Sequence, residues 1–299
     1  MTAWRRLGRR RSYAAYAVGA AIILAGAFAA SPPAGATAPV TPFYLALGGS
    51  GSVGIQPTAA HPRGQPTDSG YANDLLGLER SRWEGLKLVQ LGCPGATTAS
   101  MLTGAGHCHY REGSQLGAAL SFLRDHPSTV LITVDLGFND LLPCLRHRAI
   151  DDGCVTEGLG ALHDQLTQAL AQLRAAAPRG TMIVGVGHYD PYLGDYVRPD
   201  GQPFALATIS AIDRLDEVMR SAYAAEGVPM ASVAPAFDMT ESTPVKVPSL
   251  GGVPENVARV CSLTWMCAPP PLGPNSHPDD AGYRIIAVAL GNVIDSLSG

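Results

Sequence analysis

The chain has 299 residues, of which 46% are hydrophobic and 15% charged, so it can bury a sizeable core and is not a disordered polyelectrolyte. Its net charge of −4 is uneven: residues 1–38 hold five arginines and no acidic residue, which leaves residues 39–299 with 16 basic and 25 acidic side chains. This acidic remainder excludes nucleic acid as the main partner, because phosphate binding requires clustered lysine and arginine.

Residues 1–38 are organised like a secretory signal peptide. Five arginines precede an uncharged run from Tyr13 to Ala30, and small residues follow, with Ala36 and Ala38 as candidate cleavage positions. This order of basic, apolar and small-residue regions is typical of a cleaved signal. An uncleaved N-terminal anchor is the alternative, because about 18 apolar residues can just span a bilayer. We expect residues 39–299 to form one exported domain, secreted or associated with the cell envelope.

From Phe43 onwards, short apolar runs alternate with segments of helical periodicity. Strands are predicted at 43–47, 86–91, 130–134, 182–186 and around 230–233. Helices are predicted at 71–78, 114–125, 159–177, around 209–219 and at about 279–296. This alternation predicts an α/β fold with a central parallel sheet of about five strands and helices on both faces. Pro-rich stretches at 57–66, 244–254 and 269–274 are predicted to be surface excursions near the site.

The six cysteines are predicted to form disulfide bonds, because exported thiols usually oxidise. Six cysteines allow 15 connectivities, and the sequence alone does not choose among them. Sequential pairing would close short loops in segments that otherwise look irregular. The alternative is metal binding around His107, Cys108 and His109, but no second cluster with C-x₂-C spacing accompanies them. We therefore expect no metal site, and disulfides among Cys93, Cys108, Cys144, Cys154, Cys261 and Cys267.

Candidate catalytic residues follow the predicted strands. A glycine-rich turn containing Ser50 follows the first strand, Gly95 follows the second, Asn139 follows the third, and His277 precedes the last helix. Because the carboxyl ends of parallel strands meet at one edge of a sheet, we expect these residues to converge there. A nucleophile, a base and N–H donors for an oxyanion are the parts that acyl transfer requires.

The glycine-rich turn has two other interpretations. Residues 49–54 fit the dinucleotide-binding pattern G-x-G-x-x-G, but the second strand ends at Gln90 without the carboxylate that this pattern requires. Export would also separate the chain from the cytosolic nucleotide pool. Ser52 is an alternative nucleophile if the turn is shifted by one step.

The four blocks together resemble the SGNH, or GDSL-type, hydrolase superfamily, and most closely its secreted actinobacterial esterases and lipases. The family block G-D-S-x-x-x-G is matched at 48–54, the block-two glycine at Gly95, G-x-N-D at 137–140, and the His-Pro of the last block at 277–278. The resemblance covers the chain from Tyr44 to about Ile286. It implies a three-layer α/β/α, flavodoxin-like fold, three disulfide bonds and no cofactor.

The resemblance also implies a role for each candidate. Ser50 would be the nucleophile and His277 the base, and the oxyanion hole would consist of the backbone N–H groups of Ser50 and Gly95 and the side-chain amide of Asn139. Asp140 would brace the turn that presents Asn139.

Two positions depart from the family pattern. The Asp that precedes the nucleophile is Gly49 here, and the triad Asp, three residues before the base, is Pro274. The second departure matters more, because that acid orients the imidazole and stabilises the imidazolium. Some members of the superfamily use a main-chain carbonyl instead, so we expect a Ser–His dyad assisted by a carbonyl of the turn 272–275.

The sequence therefore predicts a secreted, monomeric serine esterase or lipase that hydrolyses carboxylic esters of small molecules or lipids. An O-acetyl or O-acyl esterase or transferase acting on envelope glycans or lipids is the second hypothesis. The third is a catalytically impaired envelope-binding protein, for which Gly49 and Pro274 are the motivation. Activity is expected to rise with the pKa of an ordinary histidine, about 6.5.

Overall fold

The computed structural model of the protein describes residues 40–298; the predicted export segment, residues 1–38, lies outside the described residues. Five parallel strands form the central sheet: β1 (Phe43–Gly48), β2 (Lys87–Gln90), β3 (Thr129–Asp135), β4 (Met182–Val186) and β5 (Met230–Ala231). Their order in the sheet is β2-β1-β3-β4-β5. The predicted parallel sheet of about five strands is confirmed.

Eight α-helices connect or follow these strands in the described part of the chain. They are α1 (Tyr71–Glu79), α2 (Thr98–Thr103), α3 (Gln115–Asp125), α4 (Phe138–Leu141), α5 (Asp152–Ala176), α6 (Gln202–Ala225), α7 (Glu255–Leu263) and α8 (Asp280–Ser298). The helix predicted from Leu159 begins seven residues earlier, because Asp151 caps it by accepting a hydrogen bond from the Cys154 N–H at 3.0 Å. None of the helices between residues 40 and 298 combines the length and the apolarity that a membrane span requires.

Both faces of the sheet are buried around its central strands, which is why β1 is apolar from Phe43 to Leu47. Along β1, Leu45 and Leu47 pack into the core that α3, α5 and α6 cover, whereas Tyr44 and Ala46 pack into the core under α1 and α8. Successive residues of a strand point to opposite faces, so an all-apolar strand indicates helices on both sides. The fold is therefore the predicted three-layer α/β/α arrangement.

One Pro-rich stretch differs from its prediction. Residues 244–254 form a hairpin of β6 (Pro244–Val247) and β7 (Gly251–Pro254) that continues directly into α7. Val253 packs with α7 in a small separate core that also contains Leu193 and Met266. None of residues 244–254 lines the large cavity described below, so this stretch is not the site-bordering excursion that the sequence suggested.

Three disulfide bonds each join one cysteine to the next cysteine along the chain: Cys93–Cys108, Cys144–Cys154 and Cys261–Cys267. The predicted disulfides are confirmed, but their surroundings are not all irregular, because Cys154 lies in the first turn of α5 and Cys261 lies in α7. The imidazole of His107 approaches Cys93, with 3.8 Å between Nε2 and Sγ. Both cysteines of that cluster are oxidised, so neither offers a metal ion a thiolate.

Candidate active site

Ser50 begins the turn that follows β1, and this turn is held on two sides. Gly48 has a φ of +129°, and a Cβ at this position would overlap the main chain of Asp135, so only glycine fits. The Gln115 side chain accepts from the Gly48 N–H at 2.8 Å and donates to the Gly48 carbonyl at 3.0 Å. The Gly49 N–H donates to the Asp135 carbonyl oxygen at 2.7 Å. The strand end therefore fixes the position from which Ser50 projects.

Ser52, the alternative nucleophile, is unsuited to that role. Its side chain is completely buried, and its hydroxyl donates to the Gly49 carbonyl oxygen at 2.7 Å. Ser50 is half-buried and lines the cavity, whereas Ser52 does not. The turn is therefore in the register of the G-x-S-x-x-x-G block.

The predicted oxyanion donors lie beside this turn. Gly95 is exposed at the cavity with a φ of +77°, in a tight turn closed by a 2.9 Å hydrogen bond from the Ala96 N–H to the Cys93 carbonyl oxygen. The Asn139 Nδ2 donates to the Ala96 carbonyl oxygen at 2.9 Å. Since a side-chain amide carries two N–H donors, Asn139 keeps one for a ligand.

Gly49 has a packing role that the sequence did not reveal. A Cβ at this position would lie 3.1 Å from the Asn139 Nδ2, which is tighter than ordinary van der Waals contact. The amide of Asn139 therefore occupies the space beside residue 49. Glycine at this position therefore leaves Asn139 free of a close side-chain contact.

Asp140 braces the turn that presents Asn139. Its carboxylate accepts from the Thr98 N–H at 3.1 Å and from the Thr98 hydroxyl at 2.6 Å. Burial raises the pKa of Asp140, and these hydrogen bonds partly offset the rise. The carboxylate ties α4 to the start of α2, just after the Gly95 turn, so its place matches the bracing role predicted from the sequence.

His277 has a side-chain partner, which corrects the expectation of a main-chain carbonyl. The Asn275 Oδ1 lies 2.6 Å from the His277 Nδ1 and accepts a hydrogen bond from the His277 N–H at 3.0 Å. A backbone N–H can only donate, so the amide atom facing it is the oxygen, and Nδ1 must then carry its proton. The Nε2 is consequently the nitrogen with a free lone pair. The partner comes from the predicted turn 272–275, but from its side chain.

Asn275 also joins the base to one of the Pro-rich excursions. Its Nδ2 donates to the Pro62 carbonyl oxygen at 3.2 Å. The excursion 57–66 is closed at its base by two hydrogen bonds between Gln56 and Gln65. Gln56 in turn donates to Asp280 at the start of α8 at 2.7 Å. Residues 57–66 therefore border the site, as the sequence predicted for this stretch.

One cavity of about 660 Å³ is lined by all four candidates, Ser50, Gly95, Asn139 and His277. The structure thus brings to one edge of the sheet residues that lie far apart in the sequence. The side chains around them are mainly apolar. The polar side chains that line the cavity besides the candidates are Arg63, Tyr71, His107, Asp135, His188, Tyr189, Ser276 and Tyr283.

Burial changes the proton affinity of the candidate base. It lowers the pKa of His277 to about 4, from an ordinary value near 6.5. Asn275 is uncharged, so it offers no anion to favour the imidazolium. The imidazole is therefore neutral at lower pH than the sequence led us to expect.

Asn275 and Asp135 are among the polar residues of this site that sequence reasoning missed. Asn275 stands two residues before His277 and directly follows Pro274, the position at which the family motif has its acid. A polar side chain so close to that position was the signal that could have identified it as the partner of His277. Asp135 was missed because it ends a strand that is otherwise apolar. An acidic residue at the carboxyl end of a buried parallel strand was the signal there.

The chain is similar in fold to several solved structures. The chain is 18% identical to the extracellular lipase of Streptomyces rimosus, with a TM-score of 0.56 over 84% of this chain and 99% of that one. It is 19% identical to phospholipase A1 from Streptomyces albidoflavus, with a TM-score of 0.52 over 84% and 98% of the two chains. For an acetylxylan esterase from Geobacillus stearothermophilus, the identity is 14%, the TM-score 0.50 and the coverage 84% and 93%.

At these identities the solved structures establish a shared fold. No curated protein matches the chain. The model of the GDSL-like Lipase/Acylhydrolase family, however, matches residues 46–285, a span that begins in β1 and ends in α8 and so includes every candidate described above. Since this match covers most of the chain, the protein belongs to the GDSL-like lipase/acylhydrolase family and is a carboxylic ester hydrolase.

Proposed function

We propose that this hydrolase is an exported serine esterase or lipase that uses Ser50 as nucleophile and His277 as base, with Asn275 in place of the triad acid. The observation that carries the proposal is the single cavity lined by the serine, the histidine and both oxyanion candidates. Asn275 supports it further, because it gives the imidazole the tautomer that a general base needs.

In the acylation step, the His277 Nε2 removes the Ser50 proton while Oγ attacks the ester carbonyl carbon. The tetrahedral intermediate collapses when the bond to the alcohol oxygen breaks, and His277 returns its proton to the departing alcohol. A water molecule, deprotonated in the same way, then hydrolyses the acyl-enzyme and releases the acid.

The negative charge of the tetrahedral intermediate falls on the former carbonyl oxygen. The N–H groups of Ser50 and Gly95 and the second Nδ2 proton of Asn139 are the donors proposed for it. One such donor typically contributes about 10²–10³ to turnover in acyl-transfer enzymes. Since Asn139 is already fixed by its bond to the Ala96 carbonyl, its donor is preorganised.

The two departures from the family motif do not favour an impaired binding protein. Gly49 accommodates Asn139, and Asn275 takes over the hydrogen bond that an acid would have made to the Nδ1. Both changes preserve a structural requirement of catalysis. A catalytically active protein is therefore the better interpretation.

The proposed location and substrates follow from other features. Three disulfide bonds and the signal-like segment 1–38 support export to an oxidising compartment. The mainly apolar cavity supports a small-molecule or lipid ester as substrate. No cofactor takes part in the proposed steps.

A fluorophosphonate probe tests the proposal directly. We expect the native protein to be labelled with one equivalent of probe, on the peptide that contains Ser50, and to lose hydrolysis of p-nitrophenyl butyrate in parallel. Heat-denatured protein is the control and should remain unlabelled. Labelling of a peptide without Ser50 would refute the assignment of the nucleophile, and an unlabelled but active native protein would refute the acyl-enzyme mechanism.

The pH dependence tests the assignment of the base. Because only neutral His277 can accept the Ser50 proton and burial lowers its pKa to about 4, kcat/KM should rise through about pH 4 and be level by about pH 6. The measurement is the pH profile of kcat/KM with a substrate that does not titrate in this range. The rate of fluorophosphonate labelling is measured over the same pH range. An acid limb centred near 6.5 would contradict the burial of the base in the active state.

A further inference from the structure

Asp135 is a buried carboxyl group beside the nucleophile turn to which the proposed mechanism gives no role. It is the last residue of β3 and pairs with Gly48, the last residue of β1, in the sheet register. The residue is 8% exposed, and it lines the same cavity as Ser50 and His277. Asp140, the other acid near the site, is accounted for by its bonds to Thr98.

Asp135 contacts the nucleophile turn on both sides of Ser50. Its carbonyl oxygen accepts from the Gly49 N–H at 2.7 Å, just before the serine. Just after the serine, its Oδ2 lies so close to Gly51 that a Cβ there would overlap it. The Ser52 N–H also faces the carboxylate and favours its charged form. One residue thus contacts positions 49, 51 and 52.

Burial of the Asp135 carboxylate is energetically unfavourable. Burial raises the pKa of Asp135, which means that its charged form is disfavoured there. The neighbouring His188, whose Nε2 is 3.1 Å from the Leu136 carbonyl oxygen, partly offsets this rise in the pKa of Asp135. A buried carboxyl held without a strong ion pair is typical of a functional site.

The glycines of the turn are consistent with a carboxyl supplied from outside it. The amide of Asn139 lies beside Gly49, where a Cβ would come within 3.1 Å of its Nδ2. Gly51 leaves open the space that the Asp135 carboxylate occupies. The φ of Gly51 lies outside the left-handed region, so the close approach of the Asp135 carboxylate is the reason that glycine fits there.

We propose that Asp135 is the positioning residue of the nucleophile: its main chain and carboxylate together hold residues 49–52 so that the Ser50 Oγ and N–H keep their places at the cavity. The inference rests on the proposed role of Ser50. A positioning role differs from substrate binding, in which the Asp135 carboxylate would contact the ester. It also differs from a purely structural role, in which the stability of the fold but not kcat would depend on Asp135.

The test compares two variants. Asp135→Asn keeps the shape of the side chain and one acceptor oxygen, whereas Asp135→Ala removes the whole carboxyl group. We expect kcat and the fluorophosphonate labelling rate to fall together, by about 10²-fold in Asp135→Ala, because a small displacement of a reacting atom has effects of this size. Asp135→Asn should recover part of the loss. The KM should change by less than about twofold, since a positioning residue does not touch the substrate.

A double-mutant cycle with Gly51→Ala identifies the contact itself. In the native background the new methyl group overlaps the Asp135 Oδ2, so kcat should fall. In the Asp135→Ala background that space is empty, and Gly51→Ala should have little further effect. Non-additivity of this kind measures direct coupling between the two positions.

Three outcomes would overturn the inference. A raised KM with an unchanged kcat in Asp135→Asn would assign the carboxylate to substrate binding. A lowered melting temperature with native kcat and labelling rate would assign it to stability alone, and additive effects in the cycle would remove the contact with Gly51. If the native protein is labelled at Ser50, the proposed function stands in each of these cases. Failure of the inference about Asp135 is therefore distinguishable from failure of the proposed function.

Discussion

Replacement of Ser50 by alanine is expected to lower kcat for p-nitrophenyl butyrate by about 10⁴- to 10⁶-fold, as the loss of a nucleophile does in other serine hydrolases. The reason is that the other serine of the turn cannot take its place. Ser52, the nearest serine in the turn, is fully buried and its hydroxyl is bonded to the Gly49 carbonyl oxygen. The residual rate should be that of the oxyanion donors and substrate binding alone.

The measurement is kcat and KM from initial rates, with fluorophosphonate labelling of the same preparations. Ser296→Ala is the matched control, because Ser296 is exposed on α8 and its hydroxyl bonds only to the Val293 carbonyl oxygen of its own helix. We expect this control to retain native kinetics and labelling. Native activity in Ser50→Ala with an unchanged melting temperature would move the nucleophile to another residue.

Replacement of Asn275 by alanine is expected to lower kcat by about 10²- to 10⁴-fold, the upper value being the effect of a wrong histidine tautomer in a serine protease. Without Oδ1, nothing holds the proton on the His277 Nδ1, and the ring is free to adopt the tautomer that cannot accept from Ser50. The KM should change less, because Asn275 acts through the base.

Asn275→Asp separates this explanation from a loss of stability. A carboxylate accepts the same hydrogen bond and adds a negative charge that favours the imidazolium, so kcat should be largely retained. The same charge raises the pKa of His277, which moves the acid limb of the kcat/KM profile upwards from about pH 4. Native kcat in Asn275→Ala, or an unmoved acid limb in Asn275→Asp, would show that Asn275 does not orient the base.

The sequence was sufficient to predict the features that depend on local patterns. The run Val130–Val134 is apolar on both faces, which required a buried parallel strand, and the alternation around it required helices on both sides of the sheet. The four motif blocks pointed to Ser50, Gly95, Asn139 and His277, and the structure brings all four to one cavity, as expected for residues near the carboxyl edge of a parallel sheet.

The features that were missed depend on contacts between distant parts of the chain. Asn275 became the partner of His277 through the geometry of a turn whose other amide group bonds to Pro62, which is remote in sequence. Asp135 acquired its position only when β3 paired with β1. The hairpin at 244–254 was obscured by its prolines, which lower strand propensity without preventing an isolated two-stranded pairing.

The Cys93–Cys108 bond links the proposed active site to the oxidation state of the chain. It closes the segment that carries Gly95, and Cys93 is itself attached to β1 through the bond from its N–H to the Gly48 carbonyl oxygen at 2.9 Å. The position of Gly95, a proposed oxyanion donor, therefore depends in part on an oxidised cysteine pair. A chain whose cysteines are reduced would lack this closure, and the turn that carries Gly95 would then be held only by its hydrogen bonds.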